Sequence, residues 1–451
     1  MIKLPDSEYL QRRQQLMSAL GANCAVLLPA AELCIRNRDA EYAFRQDSDF
    51  LYLTGFPEPD ALLLLLPDGS NNGDGGRAVL FCLPRDPLKE IWTGYRIGPL
   101  GAVDNFSMNE AYGLEELDEK MLELLDGRTE LYYPLAQNQS LTAQIDGWRQ
   151  QIRAKHRSAQ SIPQSFRDIN PLLHEMRLFK STAEQAMMRA AGQLSAEAHI
   201  RAMQRCSPGV MEYQLEAQIL YCFADQGVRF PAYNSIVGGG ANGCILHYTE
   251  NRDALKDGDL VLIDAGAEVD GYAGDITRTF PVNGRFGDDQ RLIYQLVLDA
   301  QLAAIAQIRP GKSWNAPHEA ALQVLTAGLV DLGLLDGELE ALIEDEAYRP
   351  FYMHRTGHWL GLDVHDVGEY KDAGDWRLLE PGMVLTVEPG LYIAPDEETV
   401  DPRWRGIGIR IEDDVLVTES GCEVLTADAP KTIEEIETLM NVAQRRRTEK
   451  E

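Results

Sequence analysis

Four acidic residues close or interrupt short β-rich apolar runs, a costly position for an isolated charge. Asp264 ends Leu260-Val-Leu-Ile, Glu388 ends Val384-Leu-Thr-Val, and Glu412 follows Ile407-Gly-Ile-Arg-Ile. Asp275 lies in Gly274-Asp-Ile-Thr-Arg-Thr-Phe280, which also reads as strand. A carboxylate in such a place is tolerated when it is paired or binds a cation. Four of them in one region point to a shared cation centre. Of the eight histidines, His247, His354, His358 and His365 fall in glycine-rich segments of the same region. His156, His174, His199 and His318 lie on helical or linker sequence and read as structural. Glu175 follows His174, but no second histidine follows at helical spacing, so the HExxH zinc pattern is absent. Carboxylate-dominated ligation favours harder divalent ions, Mn²⁺, Fe²⁺, Co²⁺ or Mg²⁺, over a thiolate zinc site. Four carboxylates exceed the need of one ion. Two ions about 3.5–4 Å apart could share a water and bring its pKa near 7, which suits hydrolysis of a poor electrophile such as an amide.

The elements that must position these residues occur twice. Ser181-Thr-Ala-Glu184 is a capping box that opens a long helix, which stops before Ser207-Pro-Gly209. A helix over 212–225 and strands over 233–237, 260–264 and 277–281 follow. The order then recurs: helices over 288–308 and 316–332, strands over 383–387 and 407–412. Residues align as well as elements. Leu255-Lys-Asp-Gly-Asp-Leu-Val-Leu-Ile-Asp264-Ala-Gly266 matches Leu379-Glu-Pro-Gly-Met-Val-Leu-Thr-Val-Glu388-Pro-Gly390 column by column. Gly243-Cys-Ile-Leu-His247 matches Gly361-Leu-Asp-Val-His365. This reads as two copies of one α/β unit related by a pseudo-two-fold axis. Gly238-Gly-Gly240 lacks the Gly-Lys-Ser/Thr end of a phosphate loop and reads as a turn.

The first third alternates differently. A helix over 7–20, strands over 24–28, 61–66 and 78–83, and a helix over 114–125 make a smaller α/β domain. A Gly/Asn-rich loop spans 68–76 and carries no residue with an assignable function. The boundary falls in 163–180, giving domains 1–175 and 176–451. A length of 451 residues suits two domains.

Lys and Arg number 42 against 71 Asp and Glu, a net charge of −29. Residues 1–175 carry −8 of it and the rest −21. So negative a chain lacks the basic face that nucleic acid or an anionic membrane requires. No apolar run approaches the roughly 20 residues of a membrane helix. The N-terminus lacks the apolar core of a secretory signal. Seven scattered cysteines with no CxxC suit a reducing cytoplasm.

Five segments together carry a family resemblance. His354-Arg-Thr-Gly-His-Trp-Leu-Gly-Leu-Asp-Val-His-Asp-Val-Gly368, Leu260 to Gly266, Tyr272-Ala-Gly-Asp-Ile-Thr-Arg-Thr-Phe280, Val387-Glu-Pro-Gly-Leu-Tyr392 and Gly408-Ile-Arg-Ile-Glu-Asp413 resemble the pita-bread metallopeptidases. Within that group the chain is similar to the bacterial aminopeptidase P (Xaa-Pro aminopeptidase) family. Arg45-Gln-Asp-Ser-Asp-Phe-Leu-Tyr-Leu-Thr-Gly-Phe-Pro-Glu-Pro59 resembles that family's creatinase-type first domain.

The resemblance implies a pita-bread C-terminal domain that cleaves the bond before a proline in the second position of peptides, by a hydroxide bridging two metal ions. Mn²⁺ is the expected metal, with Co²⁺, Fe²⁺ or Zn²⁺ as substitutes. Asp264, Asp275, His358, Glu388 and Glu412 would be the ligands, with Asp275 and Glu412 bridging and Glu388 the general base. His365 would stabilise the oxyanion, His247 would line the pocket for the proline, and His354 would support the site. Arg410, two residues before Glu412 on one strand and so on the same face, would orient a metal carboxylate or pair with Asp39. Tyr392 would act similarly. Trp92 matches a residue that, in the family, reaches into a neighbouring subunit's site; a core tryptophan is the alternative. A homo-oligomer, dimer or tetramer, follows.

Proline explains the need for a dedicated site. The Xaa-Pro amide has no N–H and a fixed φ, so clefts that grip extended backbone fit it badly. Two rivals share the motifs. A prolidase would cleave Xaa-Pro dipeptides with the same metal set, and a metal-free creatinase-like or binding homologue would keep the fold alone.

Overall fold

The computed structural model describes residues 3–67, 76–155 and 162–448. The expected loop over 68–76, but for Gly76, and His156 lie outside them. The chain divides into two compact units, 4–177 and 178–451.

In the first unit the strands are β1 (Cys24–Pro29), β2 (Ile35–Asn37), β3 (Ala40–Glu41), β4 (Leu62–Leu66), β5 (Arg77–Cys82), β6 (Glu110–Gly113), β7 (Glu130–Tyr133) and β8 (Ser165–Asp168). The helices are α1 (Asp6–Ser18), α2 (Ser48–Thr54), α3 (Pro87–Thr93), α4 (Gly98–Phe106), α5 (Leu117–Leu124), α6 (Gln139–Lys155) and α7 (Asn170–Leu178). Six strands form one mixed sheet in the order β6-β5-β4-β1-β7-β8. The all-apolar run Leu62–Leu66 is its buried centre, as a strand covered on both faces must be. Residues 114–116 form a 3₁₀ turn rather than the first turn of the expected helix, because Glu116 reaches back to the Gly113 amide.

The second unit holds α8 (Thr182–Arg205), α9 (Glu212–Asp225), α10 (Asp288–Ile305), α11 (Ala316–Asp331), α12 (Leu339–Glu344) and α13 (Ile433–Thr448). Its strands are β9 (Ile236–Gly239), β10 (Leu260–Asp264), β11 (Glu268–Val269), β12 (Tyr272–Ala273), β13 (Thr277–Pro281), β14 (Lys371–Asp372), β15 (Asp375–Trp376), β16 (Val384–Val387), β17 (Gly390–Tyr392), β18 (Gly408–Arg410), β19 (Asp413–Val417) and β20 (Cys422–Val424). The Ser181–Glu184 capping box forms as expected.

The duplication is visible in the pairing. The sequence α8-α9-β9-β10-β13 is followed by α10-α11-β16-β19. β10 lies antiparallel between β9 and β13. β16 pairs antiparallel with β19. On the other edge of β16, where β9 would be, residues 356–360 run as an irregular strand: Thr386 N donates to His358 O at 2.9 Å, Leu360 N to Val384 O at 3.1 Å and Glu388 N to Thr356 O at 2.7 Å. One apolar core serves both copies, including Val261, Ile263, Leu385 and Val387.

One expected strand starts late and another ends early. Ile236 rather than Tyr233 opens β9, which leaves Tyr233 on irregular backbone. The expected strand over 407–412 stops at Arg410, because β18 pairs with β17 and β19 with β16, in separate sheets. Ile411 and Glu412 make the crossing, their amides bonded to Pro389 O and Thr277 O.

His199, on α8, is fully buried, and its Nε2 lies 3.0 Å from Ala265 O. Burial lowers its pKa from 6.5 to about 4, although that hydrogen bond pulls the other way. Between pH 6.5 and 4 the unfolded chain therefore binds a proton that the native chain refuses, so stability falls as pH falls through this window, by on the order of 3 kcal/mol for this group. Urea midpoints of the chelator-treated protein should drop from pH 7 to pH 4.5, and His199→Gln should flatten part of that slope; parallel slopes in the two proteins would exclude a neutral buried His199.

Candidate metal centre

The acidic residues converge because each follows or precedes a strand of one of the two matched ladders. Asp264 is the last residue of β10, and Glu388 follows β16 by one position. Asp275 precedes β13 and Glu412 precedes β19. Asp275 is thus just off the strand, its amide bonded at 3.0 Å to Asp414 Oδ2 rather than to a ladder partner. The aspartate segments approach closely through glycine: a Cβ on Gly266 would lie 1.7 Å from Gly274 O. Gly357 does the same in the second copy, where a Cβ would lie 2.0 Å from Thr386 O. Any side chain there would push His358 off β16.

Asp264, Asp275, His358, Glu388 and Glu412 all line one cavity of about 690 Å³, together with His247, His354, His365, Tyr233 and Arg410. Donor atoms of Asp275, His358 and Glu412 lie within 4.8 Å of one another. His358 Nε2 is 3.3 Å from Asp275 Oδ2 and 3.7 Å from Glu388 Oε1. Its Nδ1 donates to Trp359 O at 2.9 Å, which turns Nε2, the other ring nitrogen, toward the carboxylates.

The electrostatics are those of a cation site. Asp264, Asp275 and Glu412 are buried. Burial, then repulsion from Asp275, Glu388 and Asp264, drives the Glu412 carboxyl well above its usual range. Burial lifts Glu388 to about 7, with Asp275 and Asp264 adding to it and His358 and Arg410 opposing. Burial also raises Asp264 despite Arg410. His358 rises as well: burial lowers it, but the hydrogen bond to Asp275 and the charge of Glu388 lift it to about 9. Carboxylates forced toward the neutral form beside a metal-competent imidazole are what divalent cations would relieve.

Arg410 is bonded to the cluster. Its guanidinium donates to Asp264 Oδ2 at 2.7 Å, to Thr277 Oγ1 at 3.0 Å and to Tyr392 Oη at 2.9 Å. It orients a carboxylate of the cluster. Asp39 is not among these partners; it is an exposed residue between β2 and β3 of the other unit. Strand alternation does not place Arg410 beside Glu412, since the strand ends between them. Thr277 joins them instead, accepting from Arg410 and donating to Glu412 Oε2 at 2.7 Å.

Tyr392 is buried and links Arg410 to His354 Nε2 at 2.9 Å. Because the arginine can only donate, the phenol passes its own proton toward Nε2, and His354 carries its proton on Nδ1, 2.8 Å from Arg355 O. His365 packs edge-on against His358 with ring centroids 4.3 Å apart. Trp92, in the other unit, is 87% exposed, which excludes the core alternative.

Sequence reasoning missed several supports. Tyr233 Oη sits between two of the carboxylates, 2.5 Å from Asp264 Oδ1 and 2.6 Å from Asp275 Oδ1. Arg278, fully buried, donates to Glu412 O at 2.6 Å and to Asp413 Oδ1 at 2.7 Å. Lys431 Nζ adds a 2.6 Å bond to the same aspartate. An arginine inside the all-buried strand Thr277–Pro281 was the available signal for this brace.

Comparison with known proteins agrees with this geometry. The model of Metallopeptidase family M24 matches residues 186–419. The chain belongs to metallopeptidase family M24. A second model, Aminopeptidase P, N-terminal domain, matches residues 9–132. The Xaa-Pro aminopeptidase of Escherichia coli K12 is 46% identical over 445 residues, covering 99% of this chain and 100% of its own. That of Haemophilus influenzae is 49% identical over 441 residues, 98% and 99%. Among solved structures, the Pseudomonas aeruginosa aminopeptidase PepP superimposes with a TM-score of 0.96 at 54% identity, over 99% of this chain and 100% of that one. E. coli aminopeptidase P with the inhibitor Pro-Leu gives 0.94 at 47%, over 98% and 100%. The M24 membership makes this a metallopeptidase, and the cluster its candidate metal site.

Gly357→Ala should shift His358 from the other ligands while leaving the core intact. Competition with a chelator should show metal affinity lowered at least about tenfold, with the far-UV spectrum unchanged. Undiminished affinity would mean that His358 is not held by its pairing with β16.

Proposed function

We propose that the chain is an Xaa-Pro aminopeptidase, releasing the N-terminal residue from peptides with proline second. The observation that carries this is the convergence of Asp264, Asp275, His358, Glu388 and Glu412 on one cavity, in a chain whose full-length relatives bear that name. Those relatives favour it over a prolidase, and the intact donor set favours it over a metal-free homologue.

Divalent ions held by these five side chains would polarise the scissile carbonyl and acidify a water. The hardness of the donors suits Mn²⁺. We assign Asp275 and Glu412 to bridging positions and Asp264 and Glu388 to one ion each. Glu388 would take the proton of the attacking water. His365, exposed beside His358, can donate to the developing oxyanion. His247, on the opposite strand-end loop, would pack against the proline ring. His354, fixed by Tyr392 and by the Arg355 carbonyl, lies 3.9 Å from Glu388 Oε2 through its protonated Nδ1 and would steer that carboxylate.

An oligomer, dimer or tetramer, fits the exposed apolar row Leu88, Ile91, Trp92, Tyr95 and Leu100 on and between α3 and α4, with Trp92 the residue to enter a neighbouring site. All seven cysteines are free, and no helix of the described residues is long and apolar enough to cross a membrane. Both features suit the cytoplasm.

Steady-state assays with Mn²⁺ should show Xaa-Pro-Xaa tripeptides cleaved better than Xaa-Pro dipeptides. Glu388→Gln should lose at least about a hundredfold in kcat if the carboxylate serves as base. Better turnover of the dipeptide would favour a prolidase, and an active Glu388→Gln would remove that residue as base.

A further inference from the structure

The catalytic unit holds a buried carboxylate that the chemistry above does not use. Glu212, the first residue of α9, is fully buried. Its Oε1 accepts from Gly239 N at 2.7 Å and Asn242 Nδ2 at 3.0 Å. Its Oε2 accepts from Tyr248 Oη and from Asp253 N, both at 2.9 Å. Four uncharged donors, with no cation among them, hold one carboxylate, and the positive end of α9 supports its charge.

All four donors come from 239–253, the segment that leaves β9 and returns toward β10. His247 lies near its middle, exposed, and Leu246, His247 and Thr249 line the catalytic cavity. Asn251 ties the returning limb to β9, accepting from Val237 N and donating to Ser235 O, each at 2.9 Å. The loop also abuts the strand that carries Arg410, where a Cβ on Gly408 would lie 2.2 Å from Gly243 O. A helix cap does not explain Glu212: its partners lie on the loop, whereas the start of α9 is capped by Gln214, which accepts from Met211 N.

We propose that Glu212 is a positioning residue for peptide hydrolysis: its buried carboxylate clasps the 239–253 loop so that His247 faces the residue after the scissile bond. Removing one charged-acceptor bond should loosen the loop without touching the ligands. This rests on the Xaa-Pro aminopeptidase reading, and the test separates the two.

Glu212→Gln turns an amide toward two donors. Tyr248→Phe is milder, deleting one donor and keeping the carboxylate. Hydrogen exchange over 239–253, measured without substrate, should quicken in both variants, and metal content should stay at the wild-type value. With an Xaa-Pro-Xaa peptide, kcat/KM should fall about tenfold in Glu212→Gln, shared between KM and kcat in the pattern of His247→Ala. A merely destabilised fold lowers the active fraction and leaves KM unmoved. In a His247→Ala background, Glu212→Gln should cost almost nothing further. Unchanged exchange in the loop, or additive losses in the double variant, overturns the clasp. A wild-type enzyme inert toward every Xaa-Pro-Xaa peptide overturns the functional reading and leaves the exchange result to decide the clasp.

Discussion

Four carboxylates crowded together on one cavity, three of them buried, are the constraint on which this site depends. Burial raises the proton affinity of Asp264, Glu388 and Glu412, and repulsion within the cluster adds to it. Such a cluster destabilises the fold unless positive charge is supplied. The chain supplies part of it. Arg410 pairs with Asp264 at 2.7 Å, and His358 approaches Asp275 and Glu388. Arg278 spends its charge on Asp413 and pins the Glu412 backbone with the rest of its fork. Charges placed behind the cluster thus hold carboxylates that line the cavity.

Duplication is what makes so exact a convergence possible from local rules. In each copy a central strand delivers one carboxylate at its end and its antiparallel neighbour delivers another at its start. Close backbone contacts at Gly266 and Gly357 then bring the segments together where no side chain would fit. His247 and His365 follow the outer edges of the two ladders, so matched positions face the same cavity. The copies differ at these edges: residues 356–360 are irregular and carry His358, whereas β9 carries neither histidine nor carboxylate.

Much of this was legible in the sequence. The helix pairs and the strands 260–264 and 277–281 appear where periodicity and capping put them. Acids in apolar runs marked the four carboxylates and glycine-rich context marked four histidines, among which the family resemblance alone singles out His358. What periodicity does not reveal is who stands behind a ligand. Tyr233 was assigned to a strand face, but it sits before β9 with its hydroxyl between two aspartates. Arg410 and Glu412 looked like one strand and are split between two sheets, with Thr277 making the link. That Arg410 is bonded to Asp264 is a matter of tertiary contact, which spacing along the chain does not encode.

The central claim is that the five side chains hold two divalent ions in one cavity. Titration of chelator-stripped protein with Mn²⁺, followed by metal analysis after equilibrium dialysis, tests it most directly. The account predicts two ions per chain in the native protein and fewer than two when Asp275 is replaced by Asn. A native stoichiometry of one or none, or two ions retained unchanged without the Asp275 carboxylate, would contradict it.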